Sequence, residues 1–243
     1  MKQLLRSTLA AAAPLLFAGA ANAYVIDFET VDASNVPFAP LLLGGDYLTQ
    51  GAYFIDMQDI NGPGGLIGAL SNGNDSDTCY NSVCPKDNKT NFLSVYNDGI
   101  AHLGHVSGGQ ILFGGMSAAY IPVFEAPAGS TVYLAVEADR ADGSYASFYY
   151  PLKSSGAFMN IPTTGGTRLG GSGALTDGIV TDLFVYGYFC NGGTGSCSAF
   201  STNQGQFALD NIILTAVPEP QTYAMLLAGL CLTGVAALRK KTA

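Results

Sequence analysis

His102 and His105, three positions apart, are the residues whose type most directly suggests chemistry in this chain. On a helix the two rings would share a face and offer two imidazoles to a metal or a proton. Gly104 between them, with Gly99, Gly108 and Gly109 around them, argues for a loop instead. No Glu follows the first His, so the zinc-protease pattern is missing, and neither ring is given a catalytic or metal role. Nucleophile patterns fare no better. Gly170-Gly171-Ser172-Gly173 reads as a flexible Gly run, not a strand-to-helix elbow, and there is no Gly-x-x-x-x-Gly-Lys phosphate loop. Carboxylates such as Glu125 with Glu137 have the right chemistry for glycoside hydrolysis. In so acidic a chain such pairs arise by chance. The reading is therefore a non-enzymatic protein, with a secreted polysaccharide-active hydrolase using an Asp/Glu pair as the alternative.

The remaining reactive groups are four cysteines in two close pairs. Cys79 and Cys84 bracket one short loop, and Cys190 and Cys197 bracket another. In an oxidising compartment each pair most simply closes its own loop, contributing roughly 2 to 2.5 kcal/mol by loop closure. Cross-pairing stays open, and zinc is the rival reading, although these spacings without a nearby histidine make poor ligand sets. Asn72-Gly73-Asn74-Asp75-Ser76-Asp77 has alternating oxygen-bearing side chains, but lacks the Gly and terminal Glu of an EF-hand. It reads as a solvated loop pinned by the first cysteine pair. Tyr145, Tyr149 and Tyr150 cluster in one predicted strand, and Tyr186 and Tyr188 alternate on another. Such rings suit sugar stacking, yet the expectation is that they pack the core or the strands.

The elements that must position these groups are strands. Tyr24–Val31, Tyr47–Ile55, Phe92–Tyr96, Gln110–Phe113 and Thr131–Ala138 carry β-branched and aromatic content. So do Ser144–Tyr150, Gly156–Ile161, Asp182–Phe189 and Gln206–Ala216. Asp142-Gly143 predicts a hairpin over Thr131–Tyr150, and 31 glycines punctuate the rest. The fold class is all-β: an antiparallel sandwich, jelly-roll-like.

Charge narrows the partners. Outside the two ends, Lys86, Lys89, Arg140, Lys153 and Arg168 face seventeen of the 18 carboxylates, since only Glu219 lies in an end segment. Nucleic acid is excluded as a partner, because binding it requires clustered Lys and Arg.

Both ends read as addresses. Lys2 and Arg6, then the apolar Leu9–Ala21, then Ala21-Asn22-Ala23, form a signal peptide over residues 1–23, cut by signal peptidase between Ala23 and Tyr24. Residues 24–216 are the exported domain. In residues 217–243, Val217-Pro218-Glu219-Pro220 precedes an apolar stretch over 223–238 and the basic cluster Arg239-Lys240-Lys241. Sixteen residues of helix reach about 24 Å, short of a hydrocarbon core of roughly 30 Å. The span is thus a marginal single transmembrane anchor with its basic end held in the cytoplasm.

This terminal order resembles the PEP-CTERM sorting domain of Gram-negative bacteria, with Pro218, Glu219 and Pro220 as motif residues. The resemblance implies handling by an exosortase, an inner-membrane-anchored intermediate, and delivery to the cell surface or extracellular matrix. Such systems accompany exopolysaccharide production, which implies a biofilm or matrix role with weak contact to extracellular polysaccharide. Gln206, Phe207 and Asp210 also look like the Gln-Phe-x-x-Asp motif of one PEP-CTERM subgroup. The Phe207–Ile212 segment resembles the closing strand of extracellular jelly-roll modules. In carbohydrate-binding modules of that architecture, a carboxylate after an N-terminal Phe and an Asp on the final strand often hold a structural calcium. Carried over, this nominates Glu29 and Asp210; the alternative is that Asp210 and Asn211 only cap a strand end.

Overall fold

The computed structural model describes residues 23–80, 82–122, 126–178, 180–201, 203–217 and 229. Ala23–Ala216 form one compact unit. The signal segment before Ala23, the motif residues Pro218, Glu219 and Pro220, and the basic cluster Arg239, Lys240 and Lys241 lie outside the described residues. So does the predicted span 223–238 apart from Gly229, and so does Glu125. Among the described residues no helix is long and apolar enough to cross a membrane.

The unit is built from antiparallel strands. The first seven are β1 (Ala23–Ile26), β2 (Leu41–Leu43), β3 (Tyr47–Gln50), β4 (Tyr53–Gln58), β5 (Leu66–Asn72), β6 (Asn91–Val95) and β7 (Ile100–His105). The middle four are β8 (Gln110–Tyr120), β9 (Thr131–Arg140), β10 (Tyr145–Pro151) and β11 (Met159–Ile161). The last four are β12 (Thr167–Gly171), β13 (Val180–Cys190), β14 (Cys197–Ser198) and β15 (Phe207–Val217). Among the described residues a 3-10 turn spans Ser76–Cys79, capped by the Asp75 carboxylate accepting from the Asp77 N–H.

Pairing folds this sheet into two layers. One runs β3-β4-β7-β13-β9-β10-β12. The other runs β2-β5-β6-β15-β8-β11, with β1 also against β15. They join where Val180 of β13 meets Ile111 of β8. Strand alternation explains why they face each other. On β4 the buried set is Tyr53, Ile55 and Met57; on β13 it is Val180, Leu183, Val185 and Phe189. These pack in one apolar cluster with Leu134 and Val136 of β9, Leu93 and Val95 of β6, and Leu209 and Ile212 of β15. Each such side chain contributes about 1.5 to 3 kcal/mol by leaving water. An all-β antiparallel architecture is the observed class.

The predicted hairpin forms as β9–β10, with Arg140 and Ser144 bonded backbone to backbone at 2.9 Å and Gly143 at φ +81°. Other expectations are corrected. Tyr47–Ile55 is not one strand but the hairpin β3–β4, turned at Gly51 with φ +63°. The first strand stops at Ile26 and the chain swings away at Phe28, whose φ is +61°. The His102 region, expected as loop, is strand β7. Gly104 is glycine because a Cβ there would lie 2.6 Å from the Phe54 ring, so it marks close packing rather than a break. The Gly-rich run after Arg168 likewise forms β12 on β10: a Cβ on Gly171 would meet the Tyr145 carbonyl.

Candidate functional site

The two layers treat their outer surfaces differently. Over the β6–β15–β8 layer, the segment after β5 folds back as a cover. Cys79 is buried, and its carbonyl accepts from the Tyr96 hydroxyl at 3.2 Å. Cys79, Phe92, Tyr96, Ile121 and Ala208 make a second small apolar cluster, against which Cys84 and Phe158 pack. Cys79 bonds Cys84, and Cys190 bonds Cys197, so each pair closes its own loop.

Among the described residues the other layer has its outer face covered at one edge, by the Phe200 segment, and register lays out what stands there. Across β4, β7, β13, β9 and β10, one row reads Gln58, Ile100, Tyr186, Ala135, Tyr149. The next reads Asp56, His102, Phe184, Glu137, Ser147, and the third Phe54, Gly104, Asp182, Asp139, Tyr145. Beyond the first row Tyr188 stands opposite Tyr133. Aromatic and acidic side chains therefore share one surface, opposite the aliphatic core set of the same strands.

These groups are held in place. The His102 ring stacks on Phe184 with centroids 4.5 Å apart and planes 13° from parallel, while Phe54 meets it edge-on at 5.1 Å. His102 Nε2 lies 2.8 Å from Asp182 Oδ1, and Nδ1 lies 3.4 Å from Asp56 Oδ2. The Gln58 amide donates to Asp56 at 2.9 Å and sits 3.1 Å from His102 Nδ1. Tyr133, Tyr149 and Tyr188 form a second group, with Tyr149 against Tyr133 at 4.9 Å. Phe200, from the segment after β14, packs on Tyr186 at 5.1 Å. Between these groups lies an open depression of about 350 Å³, lined by Gln58, Glu137, Asp139, Phe184, Tyr186 and Phe200.

Its carboxylates are electrostatically uncomfortable. Burial pushes the Glu137 carboxyl above its ordinary value; the Ser147 hydroxyl offsets part of this, and Asp139 adds to it. Asp139 is also raised, by burial first and by Asp182 second, with His102 opposing. No lysine or arginine stands in the three rows. Arg140 instead donates to the carbonyls of Ser172, Ala174 and Asp177, and Arg168 lies over the Phe148 ring.

Of the nominated pair, Glu29 is near enough to Asp210 for its charge to raise that carboxyl, as the smallest of several causes. Both are already engaged by the protein. Glu29 Oε1 accepts from the Asn91 N–H at 2.7 Å and Oε2 from its side-chain amide at 3.2 Å. Asp210, 3 % exposed, accepts from the Asn88 amide at 2.8 Å and the Asn211 N–H at 2.7 Å. Burial raises the Asp210 carboxyl, and Asp27 and Glu29 add to the rise. Among the described residues no three His, Cys, Asp or Glu side chains are arranged to hold a metal ion. The Asn72–Asp77 segment closes on itself through Asx turns, including the Asn74 N–H to the Asn72 carboxamide at 2.8 Å. The predicted signal cut falls at the start of β1, where Ala23 pairs with Thr215 and Tyr24 with Leu214.

The sequence reading missed this surface. It gave Tyr186 and Tyr188 to the core or to strand packing without separating the two; they pack on the strands on the side away from the core, and of Tyr145, Tyr149 and Tyr150 it is Tyr150 that lies in the core. The signal was present in Leu183 and Val185, whose aliphatic alternation claims the inner face and leaves Phe184, Tyr186 and Tyr188 outside.

Residues 216–241 match the family described as PEP-CTERM protein-sorting motif. That motif marks an exported chain that passes through a membrane-anchored intermediate and is processed by an exosortase. No curated protein matches the chain. Among solved structures, it is similar to the agarase AgWH50C at 11 % identity and TM-score 0.35, over 81 % of this chain and 25 % of that one. The chain thus spans about a quarter of that agarase's length. It is also similar to the family 11 carbohydrate-binding module from Clostridium thermocellum, in complex with a β-1,3-1,4-mixed-linked tetrasaccharide, at 12 % identity and TM-score 0.30. That match covers 83 % of this chain and 99 % of the module.

Proposed function

We propose that this exported, exosortase-processed chain is a non-enzymatic protein of the cell surface or extracellular matrix of a Gram-negative bacterium, where its open sheet face contacts polysaccharide. The observation that carries this reading is the register-built surface on which Phe184, Tyr186, Tyr188, Tyr133 and Tyr149 alternate with Asp56, Glu137, Asp139 and Asp182. Sugar rings present apolar C–H faces and polar rims, and flat aromatic side chains with adjacent hydrogen-bond acceptors suit both. Rigid strands also keep the ordering cost of such a contact low.

The test is retention of the full chain, held in a neutral non-glycosidic detergent, on immobilised neutral and charged polysaccharides. Wild type is expected to be retarded, and the double variant Phe184→Ala with Tyr186→Ala to lose at least about tenfold in affinity, equivalent to roughly 1.4 kcal/mol. Retention unchanged by the double variant would remove the face from the account. Release of new reducing ends, abolished by Glu137→Gln, would replace it with the hydrolase.

A further inference from the structure

We infer that the depression beside Phe200 is a subsite for the primary ammonium of an amino sugar, so that the polymer contacted is a cationic, de-N-acetylated glycan rather than an anionic one. This rests on the glycan-contact reading of the same face. It adds the substrate class, and the argument is one of missing countercharge.

Glu137 and Asp139 are two positions apart on β9 and so point to the same side of the sheet. Asp182 lies directly across from Asp139. Three carboxylates are thus crowded on half-buried strands, and among the described residues the basic side chain that acts on them is His102, which faces Asp182 and Asp56. Carboxylates withdrawn from water without a cation are costly. Proteins usually offset that cost internally. Here the domain's two arginines are used elsewhere, on loop carbonyls and on Phe148.

The walls of the depression suit a cation independently of its acids. Phe184, Tyr186 and Phe200 contribute three rings to its lining, and Tyr186 and Phe200 are already in contact. Aromatic faces attract an ammonium electrostatically, and more strongly where water is reduced. A sugar –NH3+ brings three donors, which two carboxylates on one strand can accept. The neighbouring aromatics then have the rest of the ring to stack on. A uronic or sulfated sugar meets the reverse: like charge against Glu137, Asp139 and Asp182 with no arginine or lysine to relieve it. An N-acetylated sugar has no charge to offer.

Titration of the full chain in neutral non-glycosidic detergent with four tetramers tests this: glucosamine, N-acetylglucosamine, galacturonate and lysine. The glucosamine tetramer is expected to bind at least about tenfold tighter than its acetylated counterpart, and the galacturonate tetramer not measurably. Glu137→Gln and Asp139→Asn should each erase most of that preference, the glucosamine tetramer losing several-fold more affinity than the acetylated one. Melting curves of both near-isosteric variants establish that they are folded. Equal affinity for the two glucosamine forms, or a preference that survives both substitutions, overturns the ammonium subsite while leaving glycan contact standing. Tetralysine binding as tightly as the glucosamine tetramer overturns the assignment to a sugar. If no saccharide binds, the subsite and the glycan-contact reading fall together.

Discussion

The two outer faces of this sandwich are made from the same kinds of residue and put to opposite uses. Both carry half-buried or buried carboxylates beside aromatic rings. On the face of the β6–β15–β8 layer, a disulfide-pinned segment folds over and supplies donors. Asn88 reaches Asp210, and the Phe158 N–H is taken up by Asp87 at 2.9 Å. On the face of the β4–β7–β13–β9–β10 layer the described residues supply no comparable cover, and Glu137 and Asp139 meet Ser147, His102, Asp182 and each other. A carboxylate met by protein amides stabilises a fold. One left facing like charge and open rings strains it slightly, and such strain is the mark of a surface kept available. On the proposed reading the covered face is structural and the open one functional.

The sharpest way to break that contrast is to damage the covered side and watch the open one. Phe28, 1 % exposed, lies between Asp27 and Glu29 and anchors that corner in the core. Phe28→Ala should cost about 3 to 5 kcal/mol, the usual price for emptying a buried aromatic site. At a temperature where the variant remains folded, its glycan affinity should match wild type. Loss of binding in the folded variant would show that the two faces are coupled. A smaller effect of the same kind comes from Cys79→Ser with Cys84→Ser. Opening this short loop removes roughly 2 kcal/mol by the chain-entropy estimate, read as a lower melting temperature, again with binding kept.

How much of this contrast the sequence displays depends on range. Local features are legible: the Asp142-Gly143 hairpin, the pairing of near cysteines, and the strand content all rest on neighbours a few residues apart. The open face is not, because it exists only through register. His102 and Asp182 are 80 positions apart and meet because β7 pairs with β13. Alternation shows that Tyr186 and Tyr188 share a side, but choosing the side requires weighing them against Leu183 and Val185. Glycine misled most. As a breaker it predicts loops at Gly104 and Gly170-Gly171, yet here it makes room for the Phe54 ring and for Tyr145. Lack of a side chain looks the same in sequence whether it frees the backbone or admits a neighbour.

Acid titration separates the faces more finely. Burial, with neighbouring carboxylates adding to it, raises Glu137, Asp139 and Asp210 above their ordinary values in the folded chain. A group raised by folding contributes stability that is complete below its unfolded value and lost as pH rises through the folded one. The melting temperature should therefore climb as pH falls from neutral toward the ordinary carboxylate range. Asp32 and Asp142, lowered by hydrogen bonds from Ser34 and Ser144, work in the opposite sense. Glu137 faces Phe184 and Tyr186 from β13, Ser147 from β10 and Asp139 on its own strand, while Asp139 faces Asp182, Tyr145 and His102. Glu137→Gln should make the chain slightly more stable at neutral pH and flatten the slope. An unchanged slope would mean that general charge repulsion in this acidic domain sets it. Glycan affinity should move the other way, weakening on acidification as Glu137 and Asp139 lose the charge that holds the ammonium.

The smallest expected effect bears on calcium. Glu29 and Asp210 are the nominated carboxylates, but all four of their side-chain oxygens already accept an N–H bond from Asn88, Asn91 or Asn211. A cation entering would share oxygens already engaged by those donors, and among the described residues no third His, Cys, Asp or Glu side chain is arranged to complete its ligand set. A chelator should accordingly leave the melting temperature within about a degree. The stabilisation that a saturating site-bound ion provides, about 2.7 kcal/mol at a hundredfold excess over its dissociation constant, would be visible as a shift of several degrees. Such a shift, abolished by Asp210→Asn, would mean that the covered face also holds a ligand, and the division between a structural and a functional side would no longer stand.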